Sequence, residues 1–89
     1  MVTEYLIILM PPASHDLRRL DKAVAQRILY KLKWLSQNFD DLTPEKLTGD
    51  LRGLYRLRVG NFRVIYTADH AEHQLMIHLI GHRRDIYRR

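Results

Sequence analysis

Residues 51–66 read LRGLYRLRVGNFRVIY, and this stretch decides the fold. Two alternating runs, Tyr55 to Val59 and Phe62 to Tyr66, flank the dipeptide Gly60-Asn61. A two-residue loop that begins with glycine between β-rich runs predicts a tight hairpin. In that register Val59 opposes Phe62, Arg58 opposes Arg63, Leu57 opposes Val64, Arg56 opposes Ile65 and Tyr55 opposes Tyr66. Opposed residues share a face, and successive residues alternate between faces. One face therefore gathers Tyr55, Leu57, Val59, Phe62, Val64 and Tyr66 as core. The other gathers Arg56, Arg58 and Arg63 beside Ile65, and it is expected to lie open to solvent with the Arg63 guanidinium exposed. Like charges packed on one sheet face repel one another. A phosphate or an acidic partner would relieve that repulsion.

Upstream, Glu4 to Met10 (EYLIILM) is a short apolar run suited to a buried strand, which Pro11-Pro12 stops. Ser14 is placed to cap a short helix through Leu20. Asp21 then opens a longer helix from Lys22 to about Gln37. Leu20, Val24, Ile28, Leu32, Leu35 and Phe39 recur every three or four residues and form one buried stripe. Tyr30 and Trp34 lie at its margins and read as packing residues. Asn38 to Asp50 reads as a loop, with Thr43-Pro44-Glu45-Lys46 as a single helical turn and Leu47 as an anchor to the core. Downstream of the hairpin, Gln74 to Ile80 is apolar on both faces, as a central strand requires, and Gly81 ends it. The tail HRRDIYRR is expected to form a helical turn or stay extended. The order strand, helix, helix, strand, strand, strand implies an α+β fold: two N-terminal helices on one face of a small, mainly antiparallel four-stranded sheet.

Length and composition narrow the field. Eighty-nine residues suffice for one domain with a modest core. The absence of cysteine rules out disulfides and thiolate metal sites and suits a reducing cytoplasm. No basic leader with a cleavage site opens the chain, and Leu6 to Met10 is far too short to span a bilayer, so a cytoplasmic protein without membrane attachment is expected. Charge is segregated: residues 1–51 hold seven Lys/Arg and seven Asp/Glu, whereas residues 52–89 hold eight Arg and three acids. All the basic residues of the second half are arginine, whose planar fork matches phosphate and stacks on bases. A basic half of this kind points to nucleic acid or to an acidic protein segment.

The pattern LxGxLRGLYRLRVGNFRVIY, followed by a strand and then GHRRDIY, resembles the RelE/ParE superfamily of toxins from type II toxin–antitoxin modules, the RelE branch most closely. The resemblance spans nearly the whole chain and implies a single RelE-like toxin domain over residues 1–89. It implies a ribosome-dependent mRNA endoribonuclease that needs no metal or cofactor and cuts in the ribosomal A site. The ribose 2′-hydroxyl would attack the adjacent phosphate, leaving a 2′,3′-cyclic phosphate, or its opened form, and a 5′-hydroxyl. Two partners follow: a cognate antitoxin that wraps the toxin, and operator DNA bound only by the pair. Carried over residue by residue, the catalytic set is Arg56, Arg58, Arg63, Arg83 and Tyr87, with Arg52, His82, Arg84 and Arg88 as RNA-binding neighbours. Two other functions fit the same fold, a ParE-like DNA gyrase inhibitor without nuclease activity and a domain that retains only antitoxin binding.

Chemistry at such a site needs a base for the 2′-hydroxyl, positive charge on the phosphorane, and an acid for the leaving 5′-oxygen. RelE proper usually carries lysines where this chain has Arg56 and Arg58. Arginine stays protonated and is no base, so the expected catalysis rests on positioning and electrostatics. His82, beside Arg83, is the candidate base among the histidines. His78 reads as a satisfied sheet residue, and the His70, Glu72, His73 grouping is rejected as a metal site. Asp50 and Asp85 are expected to tether arginines.

Overall fold

The structure, a computed structural model, describes residues 4–88. Along the chain run β1 (Leu6–Leu9), α1 (Pro11–Arg18), α2 (Lys22–Asn38), β2 (Glu45–Lys46), β3 (Tyr55–Val59), β4 (Phe62–Asp69) and β5 (Gln74–His82). Single 3₁₀ turns cover Phe39–Asp41, Gly49–Leu51 and Ile86–Arg88. Gly60 takes a φ of 58° in the β3–β4 turn, a conformation that strains any residue with a Cβ. Every cross-strand pair that this turn predicts is formed, from Tyr55 opposite Tyr66 to Val59 opposite Phe62.

The sheet order is β1-β5-β4-β3-β2, with β1 parallel to β5 and every other pair antiparallel. It has five strands rather than the four expected. The extra one is β2, which occupies the place assigned to a helical turn at Thr43 to Lys46. Two residues are too few to show a period in sequence, and the pairing exists only because the chain returns alongside β3. β5 also runs past Gly81 to His82. Where Ile65 faces Leu79 and Tyr66 faces Ile77, His78 is the extra residue of a bulge. Its Nε2 lies 2.8 Å from the Thr67 hydroxyl in a shared hydrogen bond, so it is a satisfied sheet residue.

α1 starts at Pro11 instead of Ser14. Proline suits the first helical position, where its missing N–H has no partner to lose. α2 buries Ile28, Leu32, Leu35 and the following Phe39 against Val64, Tyr66, Leu75, Ile77 and Ile80, while Leu20 and Val24 pack at the margin. Tyr30 does not pack as expected: it is 79% exposed, and Trp34 sits on the surface under the Lys31 ammonium, 3.8 Å from its ring centre. Buried Tyr5 donates its hydroxyl to Asp40 Oδ1 at 2.7 Å. Burial first, and that bond second, push its pKa up to about 12.

The second face of the sheet is not fully open. Leu47, Ile65 and Ile86 form a small apolar cluster there with Leu54 and Leu79, so Leu47 anchors to this cluster and not to the main core. On the β1 side, pairing stops once Met10 N–H has bonded Ile77 O, and the chain turns into α1. The Asp16 carboxylate of that helix then takes the Ile80 N–H at 3.0 Å, which an apolar side chain would leave unsatisfied. We expect Asp16→Ala to cost about 1–3 kcal/mol in urea denaturation. Leu32→Ala should cost about 2–5 kcal/mol. Leu6→Ala, at a position 61% exposed, should stay within about 0.5 kcal/mol of the parent.

Candidate nucleic-acid interface

Glu45 stands directly opposite Arg56 in the β2–β3 ladder, which puts it on the arginine face. Its Oε1 accepts from Arg56 Nε at 2.7 Å and also from Arg56 Nη2. Arg58 donates Nη2 to the same oxygen at 2.9 Å and Nε to Oε2 at 3.1 Å. Two guanidinium forks thus converge on one carboxylate. Arg56 has a further partner, donating Nη1 to the Tyr87 hydroxyl at 2.8 Å. Tyr87 is positioned by its neighbour Ile86, which is buried in the small apolar cluster beside Ile65.

The charges respond to this contact. Hydrogen bonds from Arg58 and then Arg56 hold the Glu45 carboxyl at about 2, against a smaller opposing effect of burial. The Arg56 and Arg58 guanidiniums are pushed above their already high ordinary value, first by their bonds to Glu45. Glu45 is ionised at any working pH and is a feeble base while both forks hold it.

Arg63 departs from expectation. It is only 9% exposed, and its Nη1 donates to the Gly60 and Phe62 carbonyls, both at 2.9 Å. Directly opposite Arg58 on one side, it faces Gly81 on the other, where no side chain competes for the space. The two opposed arginines avoid each other, one drawn to Glu45 and the other to the turn. Arg83 joins this end of the site: its backbone N–H donates to the Asn61 carbonyl at 2.8 Å, and its side chain is exposed.

His82 does not join it. It opposes Phe62, with the rings 5.5 Å apart, and so sits on the helix face of the sheet, away from the arginines. Sequence proximity to Arg83 suggested otherwise, but the alternation of β5 continues one residue past the glycine expected to end it. Arg52, Arg84 and Arg88 are exposed and lie outside the hydrogen-bonded cluster. Asp50 and Asp85, expected to tether arginines, are exposed as well. The ion pairs of Arg56 and Arg58 are both made to Glu45, a residue expected in a loop. Sequence carried no usable signal for it, since a strand of two residues shows no period and Leu47 was expected in the main core rather than in the cluster beneath the arginines. Among the described residues no three His, Cys, Asp or Glu gather as a metal site, and no helix is long and apolar enough to cross a membrane.

A family model described as "ParE toxin of type II toxin-antitoxin system, parDE" matches residues 7–87. The chain belongs to the RelE/ParE toxin superfamily. Toxin RelE of Mycobacterium tuberculosis is 30% identical over 84 residues, spanning 94% of this chain and 87% of that protein. In fold, this superfamily member matches a RelBE toxin–antitoxin complex of Mycobacterium tuberculosis with a TM-score of 0.83 at 22% identity, over 96% of this chain and 98% of that one. It also matches an archaeal RelE–RelB complex of Pyrococcus horikoshii with a TM-score of 0.71 at 28% identity, over 90% and 96%.

The Glu45 contact makes the toxin's stability depend on pH with a defined sign. A carboxyl whose folded pKa is lowered stabilises fully above its ordinary value and loses that contribution as pH falls through the folded value. The stability advantage of the parent over Glu45→Gln is therefore expected to be constant above 4.5 and to shrink as pH falls toward about 2. Urea melts across that range test it; an advantage that grows in acid would contradict the assignment.

Proposed function

We propose that this toxin is a ribosome-dependent mRNA endoribonuclease that works without metal or cofactor on message in the A site. The observation that carries the reading is the convergence of the Arg56 and Arg58 forks on one anion position, with the Tyr87 hydroxyl bonded to the remaining Nη1 of Arg56. A fork of this kind holds two phosphate oxygens at once. In the proposed reaction the ribose 2′-oxygen bonds to the adjacent phosphorus while the bond from phosphorus to the 5′-oxygen breaks. The 2′-hydroxyl gives its proton to solvent water, and the leaving 5′-oxygen takes one from the Tyr87 hydroxyl, which water then reprotonates. Arg56 and Arg58 neutralise the charge that grows on the non-bridging oxygens, and Arg83 meets the same charge from the hairpin end. Arg63 supports them by fixing the turn. Tyr87 accepts from Arg56, so its own O–H stays available to donate to the leaving oxygen. Arg52, Arg84 and Arg88 extend the positive surface along which flanking phosphates would run; His82, on the other face, has no part in it.

In this reading a cognate antitoxin restrains the toxin by laying an acidic or amphipathic segment over the arginine face, and operator DNA is bound only by the pair. The similar proteins described as toxin–antitoxin complexes support that partner. The matching family description, which names a ParE toxin, favours a second reading: inhibition of DNA gyrase without RNA cleavage.

Primer extension on an abundant message after brief expression of the toxin alone separates the two. Cuts confined to translated codons, and lost when initiation is blocked, are the expected result. Intact messages with induced DNA damage would replace the nuclease by the gyrase inhibitor. Arg58→Ala is the informative variant, because the side chain is 59% exposed and its loss spares the core. It should lower cleavage about 10²–10³-fold, the scale for removing one charge-stabilising donor, with an unchanged circular dichroism spectrum. Arg63→Ala is a poorer probe, since it also removes two bonds to the turn.

A further inference from the structure

The arginine pair is already occupied. Arg56 gives Nε and Nη2 to Glu45, and Arg58 gives its own Nε and Nη2 to the same carboxylate. These are the edges that a phosphate would take, because each guanidinium presents its parallel N–H pair along one side. The remaining Arg56 contact, through Nη1, goes to Tyr87. A phosphate that shared the forks with Glu45 would place two anions within hydrogen-bond reach of each other, which the electrostatics disfavour. One of them has to leave.

Glu45 is placed to leave. It belongs to a strand of two residues at the sheet edge, joined to β3 through Glu45 opposite Arg56 and Lys46 opposite Tyr55. Its side chain is 36% exposed, so solvent adjoins the carboxylate and a rotamer change moves it out of the forks without disturbing the core. The other end of the site needs no such exchange, for Arg63 is held by carbonyls and not by a carboxylate.

We propose that Glu45 is an internal counter-anion: it holds Arg56 and Arg58 in their converged geometry while the site is empty, and the substrate phosphate displaces it. It is a positioning residue whose contact with the forks opposes ligand binding. The inference rests on the phosphate-binding reading of this face but not on cleavage. It implies that the free toxin binds phosphate more weakly than its bare arginines would, and that a ligand rich enough in contacts to pay that cost gains a preformed site.

The test measures binding to the intact chain of two probes, a 2′-O-methyl RNA hexamer, which has no attacking hydroxyl, and inorganic tripolyphosphate, which needs no recognition of ribose or base. Glu45→Gln keeps the size of the side chain and removes its charge. It is expected to bind both probes about tenfold more tightly than the parent. Glu72→Gln removes the same charge from an exposed position in the β4–β5 loop and should change affinity by less than twofold. If Glu45→Gln fails to fold, the parent itself gives the answer through the ¹³C resonance of the Glu45 carboxyl. The two arginines hold that carboxyl down at about 2 in the ligand-free protein, and it should titrate higher once a probe has taken them. Equal affinities in Glu45→Gln and parent for both probes, or a carboxyl unmoved by saturating probe, would overturn the displacement. Tighter tripolyphosphate binding with no RNA binding by either protein would leave the displacement standing and remove the RNA reading instead.

Discussion

Everything on the functional face follows from a positive φ at Gly60. A two-residue turn leaves β3 and β4 a single register, and a slip of one residue would send every side chain to the opposite face. In the register observed, Leu57, Val64 and Tyr66 go toward α2, and Arg56, Arg58 and Arg63 go the other way. The core and the charge cluster are thus two results of one constraint. Neither can be changed without the other.

That constraint creates an electrostatic problem, because two arginines directly opposed on a sheet repel. The chain resolves it locally. Arg58 is drawn toward the edge by Glu45, Arg63 folds back onto the turn carbonyls, and the facing glycine leaves it room. The apolar cluster of Leu47, Ile65 and Ile86 serves both ends of the solution. Leu47 holds the segment that carries Glu45, and Ile86 holds the turn that carries Tyr87. A few buried side chains beneath the arginines therefore set the geometry of the site above them.

Much of this was legible in the sequence, for identifiable reasons. The alternation around Gly60-Asn61 is strict, so parity alone gave the hairpin register and the grouping of Arg56, Arg58 and Arg63. The stripe from Leu20 to Phe39 repeats over five helical steps, enough to define α2 to within a residue of its end. What stayed hidden depended on contacts between distant segments. β2 is too short to carry a period, so the Glu45 carboxylate looked like part of a polar loop. The bulge at His78 is a property of two strands and not of one. The side taken by His82 depended on whether β5 ended at Gly81, and glycine in a strand does not by itself say. Arg63 was read from parity as exposed, which is right for its direction and wrong for its environment.

If the Arg56 and Arg58 forks form a phosphate site, the phosphate must meet their Nε–H groups. The most direct measurement of that contact is nuclear magnetic resonance of the arginine side-chain Nε–H groups during titration with 2′-O-methyl RNA. Both Nε–H resonances should shift together and acquire scalar coupling to ligand phosphorus across the new hydrogen bonds. Unchanged Arg56 and Arg58 resonances, with shifts confined to α2 or to the helix face around His82, would contradict the phosphate site and place the ligand on the other side of the sheet.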